Sequence, residues 1–329
     1  MLNKVKGLNP ISLSKKTIVS CKRSFKRIYM KHLFYLLAII VVAAATSACN
    51  TSSNQKEIIK TDSVTTIHNN GVNIAFTDTG KGDTTLLFIH GWVINKEYWA
   101  KQVIYFSKKY RVVTMDLPGF GQSGKNRDKW DTDTYSSDVS TVINALNLKK
   151  VILIGHSMSG DIALQATVDN PNRIIALVGV DNFKNVGAPQ NPDDKKDYAA
   201  AIGVMKQNFK KIAFQYFNQS LFSSTTSPTI KKRILNDVAK TDSAIATASL
   251  EQQDIGFDEI NRLKKTGKKL YLINSDVTPT VTKYMAVQNI PFRVYYTKGT
   301  GHYAMIENPD EFNNLLYKVL TDINKGNNN

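Results

Sequence analysis

The stretch VILIGHSMSG, residues 151–160, decides the fold that this sequence predicts. It opens with four apolar residues that are rich in β-branched side chains and bounded by charge and glycine, which is typical of a buried strand. After it, apolar residues recur at helical spacing from Ile162 until Pro171 ends the run. The sequence therefore predicts a strand, a tight turn and a helix, with Ser157 at the centre of the turn.

The turn follows the G-x-S-x-small pattern that a strand-to-helix nucleophile elbow requires. Such a turn holds its serine in a strained backbone conformation that exposes the hydroxyl, and small neighbours let the strand and the helix approach. The usual pattern is G-x-S-x-G, whereas here Ser159 takes the second small position and Gly160 follows it. A chance match inside a glycine-rich loop is the alternative, and the flanking strand and helix favour the elbow.

Further apolar runs predict the other strands of a mostly parallel sheet. A hairpin around Asn69-Asn70-Gly71 is predicted to precede them. Strands that alternate with helices imply right-handed crossovers, so the predicted fold class is α/β, with helices on both faces of the sheet. The predicted parallel strands lie at 85–89, 112–115, 151–154, 174–180, 269–273 and 292–296, and helices are predicted at 95–107, 135–146 and 311–323.

The alternation of strands and helices stops in the middle of the chain. Residues 184–264 are rich in Lys, Gln, Asn and Ala and carry helical apolar stripes, such as the one from Ile202 to Phe217. These residues could form ordinary surface helices, but their position between two sheet strands favours a helical cap inserted into the fold. The predicted core then consists of 63–183 and 265–325.

The formal net charge of +16 is unevenly distributed. Nine of the 43 Lys and Arg residues fall within 1–48, which contains no Asp or Glu. The remainder therefore carries 34 basic against 27 acidic residues, a net charge of +7. Because no dense stripe of basic and aromatic residues is present, we expect no nucleic-acid partner.

The N-terminus is predicted to be a targeting segment. The almost uninterrupted apolar run 33–45 is too short for an unaided membrane span and suits a signal-peptide core. Thr46-Ser47-Ala48-Cys49 after it resembles a bacterial lipobox, although Thr46 stands where leucine is usual. We expect residues 30–48 to be a lipoprotein signal peptide and 1–29 to be a mis-assigned extension before a true start at Met30. An uncleaved signal anchor is the alternative.

Cysteine usage agrees with a lipoprotein. The two cysteines are Cys21 and Cys49, so residues 50–329 contain none and form no internal disulfide. Cys49 is then free to carry an acyl chain that anchors the protein to a membrane. This predicts a location in the bacterial cell envelope, facing the periplasm or the exterior, with the polar segment 49–62 as a flexible tether.

Three further motifs accompany the elbow in chain order. His90-Gly91-Trp92 follows the 85–89 strand, and Asp116-Leu-Pro-Gly-Phe-Gly-Gln-Ser123 follows the 112–115 strand. Gly301-His302 precedes Glu307-Asn308-Pro309 near the end of the chain. With these motifs, nearly everything from Val64 to Ile323 resembles a serine hydrolase of the α/β-hydrolase fold. The resemblance implies Ser157 as nucleophile, His302 as general base, and the N–H groups of Trp92 and Met158 as donors to the oxyanion. It implies structural roles for His90, His156 and Asp116.

The triad acid stays open at this point. The usual location is the loop after the 269–273 strand, where the aspartate position holds Thr278 and Asp276 lies two residues early. Some family members carry the acid at the end of the strand before the cap, which is Asp181 here. Either aspartate could orient His302 if its carboxylate reaches Nδ1 of the imidazole.

The resemblance implies acyl transfer. Epoxide hydrolases and haloalkane dehalogenases of this fold use an aspartate nucleophile, so Ser157 argues against both and favours hydrolysis of an ester through an acyl-enzyme. We expect a small-molecule substrate, a small or medium carboxylic ester. The sequence shows no metal-ligand cluster and no dinucleotide motif, so no metal or cofactor is implied. Alternatives are a thioesterase, a lactonase, an aminopeptidase, a perhydrolase, or a non-catalytic envelope binding protein.

Overall fold

The computed structural model describes residues 58–60 and 64–326, apart from 190, 254, 255 and 257. The expectations for the extension 1–29, the signal peptide 30–48 and Cys49 lie outside the described residues. Within them, no helix combines the length and the apolar composition that crossing a bilayer requires.

A single sheet runs through the described residues, in the order β1-β2-β3-β5-β4-β6-β7-β8-β9. The strands from β4 to β9 pair in parallel, and β1, β2 and β3 add an antiparallel edge. This confirms the predicted mostly parallel sheet. The strands are β1 (Ile58–Lys60), β2 (Thr65–Asn69), β3 (Val72–Asp78), β4 (Thr84–Ile89), β5 (Arg111–Met115), β6 (Lys150–His156), β7 (Ile174–Val180), β8 (Leu270–Ser275) and β9 (Phe292–Thr297).

The central strands are apolar because helices cover the sheet on both sides. Leu86, Leu87 and Phe88 of β4 are fully buried although their side chains alternate between the two faces. The same holds for residues 151–154 of β6.

The antiparallel edge begins inside the segment that was expected to be a tether. Ile58–Lys60 pairs with β2, which itself forms the predicted hairpin with β3. The turn of that hairpin holds Asn70 and Gly71 at positive φ, 44° and 85°, as the residue types predict. The expectation of a flexible tether over all of 49–62 was therefore wrong for 58–60, because a three-residue strand carries too little pattern to be read without its partner.

The helices described by the structure form two layers and a cap. One layer contains α2, α3 and α8, and the other contains α1, α10 and α11. The helices are α1 (Ala100–Phe106), α2 (Thr132–Ala145), α3 (Ser159–Asp169), α4 (Pro192–Gln207), α5 (Phe209–Tyr216), α6 (Pro228–Lys240), α7 (Ser243–Glu251), α8 (Glu259–Thr266), α9 (Lys283–Val287), α10 (Ala304–Glu307) and α11 (Pro309–Gly326), with a 3₁₀ turn at Lys96–Trp99 and a π turn at Phe217–Leu221.

The chain between β7 and β8 carries five of these helices. Helices α4 to α7 contact one another, whereas α8 packs against α3 in the layer of the core. Arg262 of α8 forms a buried ion pair with Asp161 of α3, with 2.6 Å between Nη2 and Oδ1. Helix α8 therefore acts as the crossover helix into β8, although the sequence grouped most of it with the cap.

The strand order reverses at β4, which lies between β5 and β6. At such a reversal the loops at the carboxyl ends of the neighbouring strands leave in opposite directions and open a crevice, where α/β sheets bind ligands. The loop after β4 carries His90-Gly91-Trp92 and the turn after β6 carries Ser157. The fold thus brings both predicted motifs to the crevice.

Candidate active site

The turn between β6 and α3 has the geometry of an elbow. Ser157 lies in the left-handed region with φ 54°, and its side chain is only partly buried. Its N–H donates to the Val180 carbonyl at 2.9 Å, which ties the turn to the end of β7. A residue other than glycine rarely adopts this conformation, because Cβ crowds the carbonyl. The turn therefore holds Ser157 in a strained, partly exposed position.

Glycine is required on both sides of Ser157 because the strand and helix come very close. A Cβ at Gly155 would collide with the Ser159 carbonyl and lie 3.0 Å from Cβ of Ala163. A Cβ at Gly160 would lie 2.5 Å from Nδ2 of Asn182. Both substitutions would push α3 away from the sheet and displace the serine.

Ser159, the departure from the usual pattern, has a specific contact. Its side chain is fully buried, and its hydroxyl donates a short hydrogen bond to the His90 carbonyl. A glycine at this position could not make that bond. Ser159 therefore joins the elbow to the loop after β4.

His302 and Asp181 are brought together although 121 positions separate them. Nδ1 of His302 donates to Oδ2 of Asp181 at 2.5 Å. Because this bond fixes the proton on Nδ1, Nε2 is the proton-accepting nitrogen of the ring. The loop that carries the imidazole is also tied to the cap, since the His302 N–H donates to the Leu221 carbonyl at 2.8 Å.

The Asp181 carboxylate is nearly buried and accepts from three donors. Besides His302 on Oδ2, the N–H of Ser275 and the ammonium of Lys184 reach Oδ1, at 2.8 and 2.6 Å. Burial alone would raise the pKa of this carboxyl, but the Lys184 charge and the hydrogen bond from His302 outweigh it and hold the pKa well below its usual range. Asp181 is therefore ionised across the neutral range.

Asp276 lies elsewhere in the same region. Its Oδ1 accepts from the Gly299 N–H at 2.9 Å, and its Oδ2 lies 3.5 Å from Nζ of Lys298. A third of its side chain is exposed. The structure thus pairs His302 with Asp181 and gives Asp276 a role in holding the loop after β9.

The two expected oxyanion donors flank the elbow. Met158 directly precedes α3, and Trp92 follows the close approach of Gly91 to the elbow, where a Cβ would lie 3.0 Å from Cβ of Ser157. Neither the Trp92 N–H nor the Met158 N–H donates to another residue that the structure describes. Both N–H groups are therefore available to an oxygen that develops negative charge beside Ser157.

His90, His156 and Asp116 have supporting contacts, as predicted. Nε2 of His90 accepts from the Leu117 N–H at 2.9 Å, and burial lowers the pKa of this ring. Nε2 of His156 donates to the His302 carbonyl at 2.9 Å. Burial, followed by the His302 charge, holds the pKa of His156 well below its usual value, so the ring stays neutral.

Asp116 organises the loop after β5 through backbone amides. Its carboxylate accepts from the N–H groups of Lys96 and Gln122, at 2.6 and 2.9 Å, and from the Lys96 ammonium at 3.1 Å. These contacts fix the loop that follows Trp92.

The cap covers this crevice with aromatic side chains. Trp92 contacts three of them, with ring centroids 5.9 to 6.5 Å apart, and its indole N–H donates to the Ala246 carbonyl of α7 at 2.8 Å. Tyr303, next to His302, stacks on one of the same rings at 6.3 Å. The cap rings are Phe209, Tyr216 and Phe217, and Phe217 is the one that also meets Tyr303.

The sequence did not reveal the role of Lys184, nor that the side chains of Trp92 and Tyr303 contact the cap rings. Only the three-residue spacing from Asp181 hinted at Lys184, and that spacing is too common to single out one lysine. The described residues contain no group of three or more His, Cys, Asp or Glu side chains that could hold a metal ion.

The chain is similar to known proteins in sequence and in fold. A sequence model of the alpha/beta hydrolase fold family matches residues 84–309. The chain is 35% identical over 149 residues to a non-heme chloroperoxidase of Streptomyces lividans, covering 42% of this chain and 54% of that one. It is 32% identical over 158 residues to the bifunctional esterase/perhydrolase DCH of Acinetobacter calcoaceticus, covering 46% and 54%.

A thermophilic esterase from Thermogutta terrifontis has a similar fold, with a TM-score of 0.66, 19% identity, and coverage of 77% of this chain and 94% of that one. The chain spans about half the length of the two curated relatives described above. Because the family model covers more than half of the chain, the protein belongs to the alpha/beta hydrolase fold family.

Proposed function

We propose that the protein is a serine hydrolase that cleaves a small or medium carboxylic ester through an acyl-enzyme. One observation carries the proposal: Asp181, after β7, pairs with His302, after β9, at the same edge of the sheet as the elbow after β6 that holds Ser157. Ser157 and Asp181 each follow one of two residues that are paired across β6 and β7, His156 and Val180.

The proposed reaction has two halves, formation of an acyl-enzyme and its hydrolysis, and the same groups act in both. Nε2 of His302 takes the proton of the Ser157 hydroxyl while its oxygen attacks the ester carbonyl, and the Trp92 and Met158 N–H groups stabilise the oxyanion. The imidazolium then protonates the departing alcohol, leaving an acyl-serine. His302 then deprotonates a water that attacks the acyl-serine, and the imidazolium returns this proton to the Ser157 oxygen as the acid leaves.

The experiment is covalent labelling of the full chain with a fluorophosphonate, which reacts only with an activated serine. We expect stoichiometric labelling that Ser157→Ala abolishes and that Ser107→Ala, a change of an exposed serine at the end of α1, leaves intact. p-Nitrophenyl esters from acetate to octanoate then measure the acyl length that the site accepts. A chain that neither labels nor turns over any of these esters would refute the proposal and favour a non-catalytic binding protein.

The name of one relative suggests a second acceptor of the acyl group, hydrogen peroxide in place of water. DCH is named a bifunctional esterase/perhydrolase and shares 32% identity with this chain over 158 residues. Attack of hydrogen peroxide on the acyl-serine would give a peracid and regenerate the Ser157 hydroxyl. Peracid formation from acetate and hydrogen peroxide, measured on the same variants, decides whether water is the sole acceptor.

We also propose that the protein is anchored in the bacterial cell envelope by a lipid on Cys49. The support is the apolar run 33–45 and the lipobox-like residues before the cysteine. Cys49→Ala should move the protein from the membrane fraction to the soluble fraction, with Ser53→Ala, a change that leaves the cysteine in place, as the control. Continued membrane association of Cys49→Ala would point to an uncleaved signal anchor.

A further inference from the structure

Lys184 is a buried lysine that contacts Asp181, the acid of the proposed triad. Only 7% of the residue is exposed. Its ammonium lies 2.6 Å from Oδ1 of Asp181 and donates to the Thr278 and Ser275 carbonyls, at 3.1 and 3.4 Å. A lysine is rarely buried unless it is paired, because taking the ammonium out of water is costly. Here its charged partner is the carboxylate that His302 also uses.

The two oxygens of Asp181 serve two different cations. Oδ2 accepts from His302, which becomes an imidazolium during the proposed reaction, and Oδ1 accepts from Lys184, which is already charged. A carboxylate that belongs to the histidine alone stabilises the imidazolium with a full negative charge. A carboxylate shared with an ammonium stabilises it less, because the ammonium offsets part of that charge at close range in a water-poor site.

We propose that Lys184 is a positioning residue that shares the Asp181 carboxylate with His302 and so keeps the imidazole in its proton-accepting form at more acidic pH. This inference rests on the proposed function, since it concerns the base of that reaction. Its consequence is that the hydrolase retains activity at an acidity where the Asp181–His302 pair alone would leave His302 protonated.

The other ionisable groups around His302 do not take this role. The His156 ring, 4.6 Å from the His302 ring, stays neutral because burial lowers its pKa. Tyr303, at 5.2 Å, stays neutral because burial raises its pKa well above the ordinary value. Glu307 is engaged by the N–H groups of Gly301 and Tyr303, at 2.9 and 3.1 Å. Among the described groups named here, Lys184 is the cation that contacts the shared carboxylate.

A purely structural role for Lys184 predicts a different result. Its ammonium also holds the loop after β8, and its own carbonyl accepts from the Val281 N–H at 2.7 Å. Loss of loop order alone would lower the rate equally at every pH. Loss of the positive charge would move the pH at which His302 becomes protonated, so the pH profile separates the two roles.

The experiment measures the rate of fluorophosphonate inactivation of the full chain between pH 4.5 and 9. We expect Lys184→Met to raise the midpoint of the acid limb by about one pH unit, the lower end of the shift that a close charge produces. At the acid end of the profile this is about a tenfold slower reaction than that of the unsubstituted protein, while Lys184→Arg keeps the original midpoint.

The matched control is Arg127→Met. It removes another buried cation from a 2.5 Å ion pair with Asp138 outside the site, and the Arg127 side chain is 7% exposed against 8% for the Lys184 side chain. We expect its midpoint to be unchanged. An unchanged or lowered midpoint in Lys184→Met would overturn the inference, even if the plateau rate falls.

A second measurement does not depend on the serine reacting. The imidazole signals of His302, followed by NMR against pH in a Ser157→Ala background, should titrate at higher pH when Lys184 is replaced by Met or Gln. If the unsubstituted chain does not label, the proposed function fails, and this titration still tests the charge of Lys184. Equal titration with and without Lys184 would overturn the inference.

Discussion

Four residues around the candidate site hold backbone conformations that cost energy. Val93, Ser157, Asp181 and Phe183 all have positive φ, between 48° and 54°. The other non-glycine residues at positive φ among the described residues are all Asn or Asp, which tolerate this region. A strained Val, Ser or Phe costs roughly 1–3 kcal/mol, so such residues persist where the surrounding structure holds them and the strain serves a function. The strain is therefore concentrated in the loops that carry the proposed chemistry.

The two candidate acids predict opposite results when each is replaced. Asp181→Asn should lower kcat/KM by about 10⁴-fold, because an amide cannot hold the His302 ring with its proton on Nδ1. Asp276→Asn should retain most activity, because Asp276 contacts Gly299 and Lys298. Ester hydrolysis by both variants measures the difference.

Folding must be controlled in that comparison. Asp181→Asn leaves the Lys184 ammonium buried without its carboxylate, which can cost about 3–5 kcal/mol. The double variant Asp181→Asn with Lys184→Met removes the orphaned charge, so it should regain stability by circular dichroism and remain inactive. Activity regained together with stability would contradict a catalytic role for Asp181.

At the scale of elements, the cap is fastened to the loops that carry the site. Trp92 bonds to Ala246 in α7, and the His302 N–H bonds to Leu221 in the π turn. The Thr226 hydroxyl bonds to Glu307 at 2.6 Å, next to the histidine loop. A movement of the cap would therefore be transmitted to both the proposed oxyanion donor and the proposed base.

The bond from Trp92 to the cap gives an element-scale prediction. Trp92→Phe keeps a ring among the cap aromatics and removes the indole N–H. We expect kcat/KM for p-nitrophenyl esters to fall about two- to twelvefold, because a hydrogen bond contributes about 0.5–1.5 kcal/mol and the loop it holds carries the Trp92 N–H.

Trp99→Phe is the control for this change. Trp99 is also buried, but its indole N–H bonds to no other described residue. We expect the Trp99→Phe substitution to lower the stability of the protein without a matching loss of kcat/KM. An equal loss in both variants would show that the cap contact of Trp92 has no special effect.

The strands of the core could be predicted from sequence because their physical cause is local. A strand covered on both faces must be largely apolar, and residues 86–89 of β4 and 151–154 of β6 are apolar and fully buried. The elbow was recognisable for the same reason, since its glycines and serine are consecutive. Ile58–Lys60 was not, because three residues specify a strand only through their partner.

The choice between Asp181 and Asp276 was beyond the sequence for a spatial reason. Both aspartates follow a parallel strand at the same edge of the sheet, and only side-chain direction and loop path decide which one meets His302. The cap behaves likewise: amphipathic helices reveal which face is buried but not which surface covers it. The sequence therefore predicted a role for the backbone N–H of Trp92 but not the contact between its indole ring and the cap.

At the scale of the whole molecule, a buried cluster of charged side chains joins α8, the crossover helix into β8, to α3, the helix that follows Ser157. Glu259 of α8 lies beside the Asp161–Arg262 ion pair, is 4% exposed, and its Oε1 has no hydrogen-bond partner among the described residues. Burial, then the Asp161 charge, raises the pKa of the Glu259 carboxyl well above its ordinary value, against the Arg262 charge. A carboxyl with a raised folded-state pKa contributes stability that is fully present below its unfolded pKa and is lost as pH rises through the folded one.

Glu259→Gln removes this dependence on pH, because a neutral amide occupies the same volume without an ionisation to suppress. We expect the variant to have a higher unfolding temperature than the unsubstituted protein at pH 8, by about 2–4 °C for each kcal/mol gained. The difference should vanish near pH 4, where the carboxyl is protonated in both the folded and the unfolded chain. Glu251→Gln, which breaks an ion pair with Lys206 whose side chains are both 45% exposed, is the control and should change stability little at any pH. Thermal unfolding of the three proteins across pH 4–8 decides the matter: a Glu259→Gln effect that is constant with pH would mean that packing, and not the suppressed charge, limits the stability of the fold.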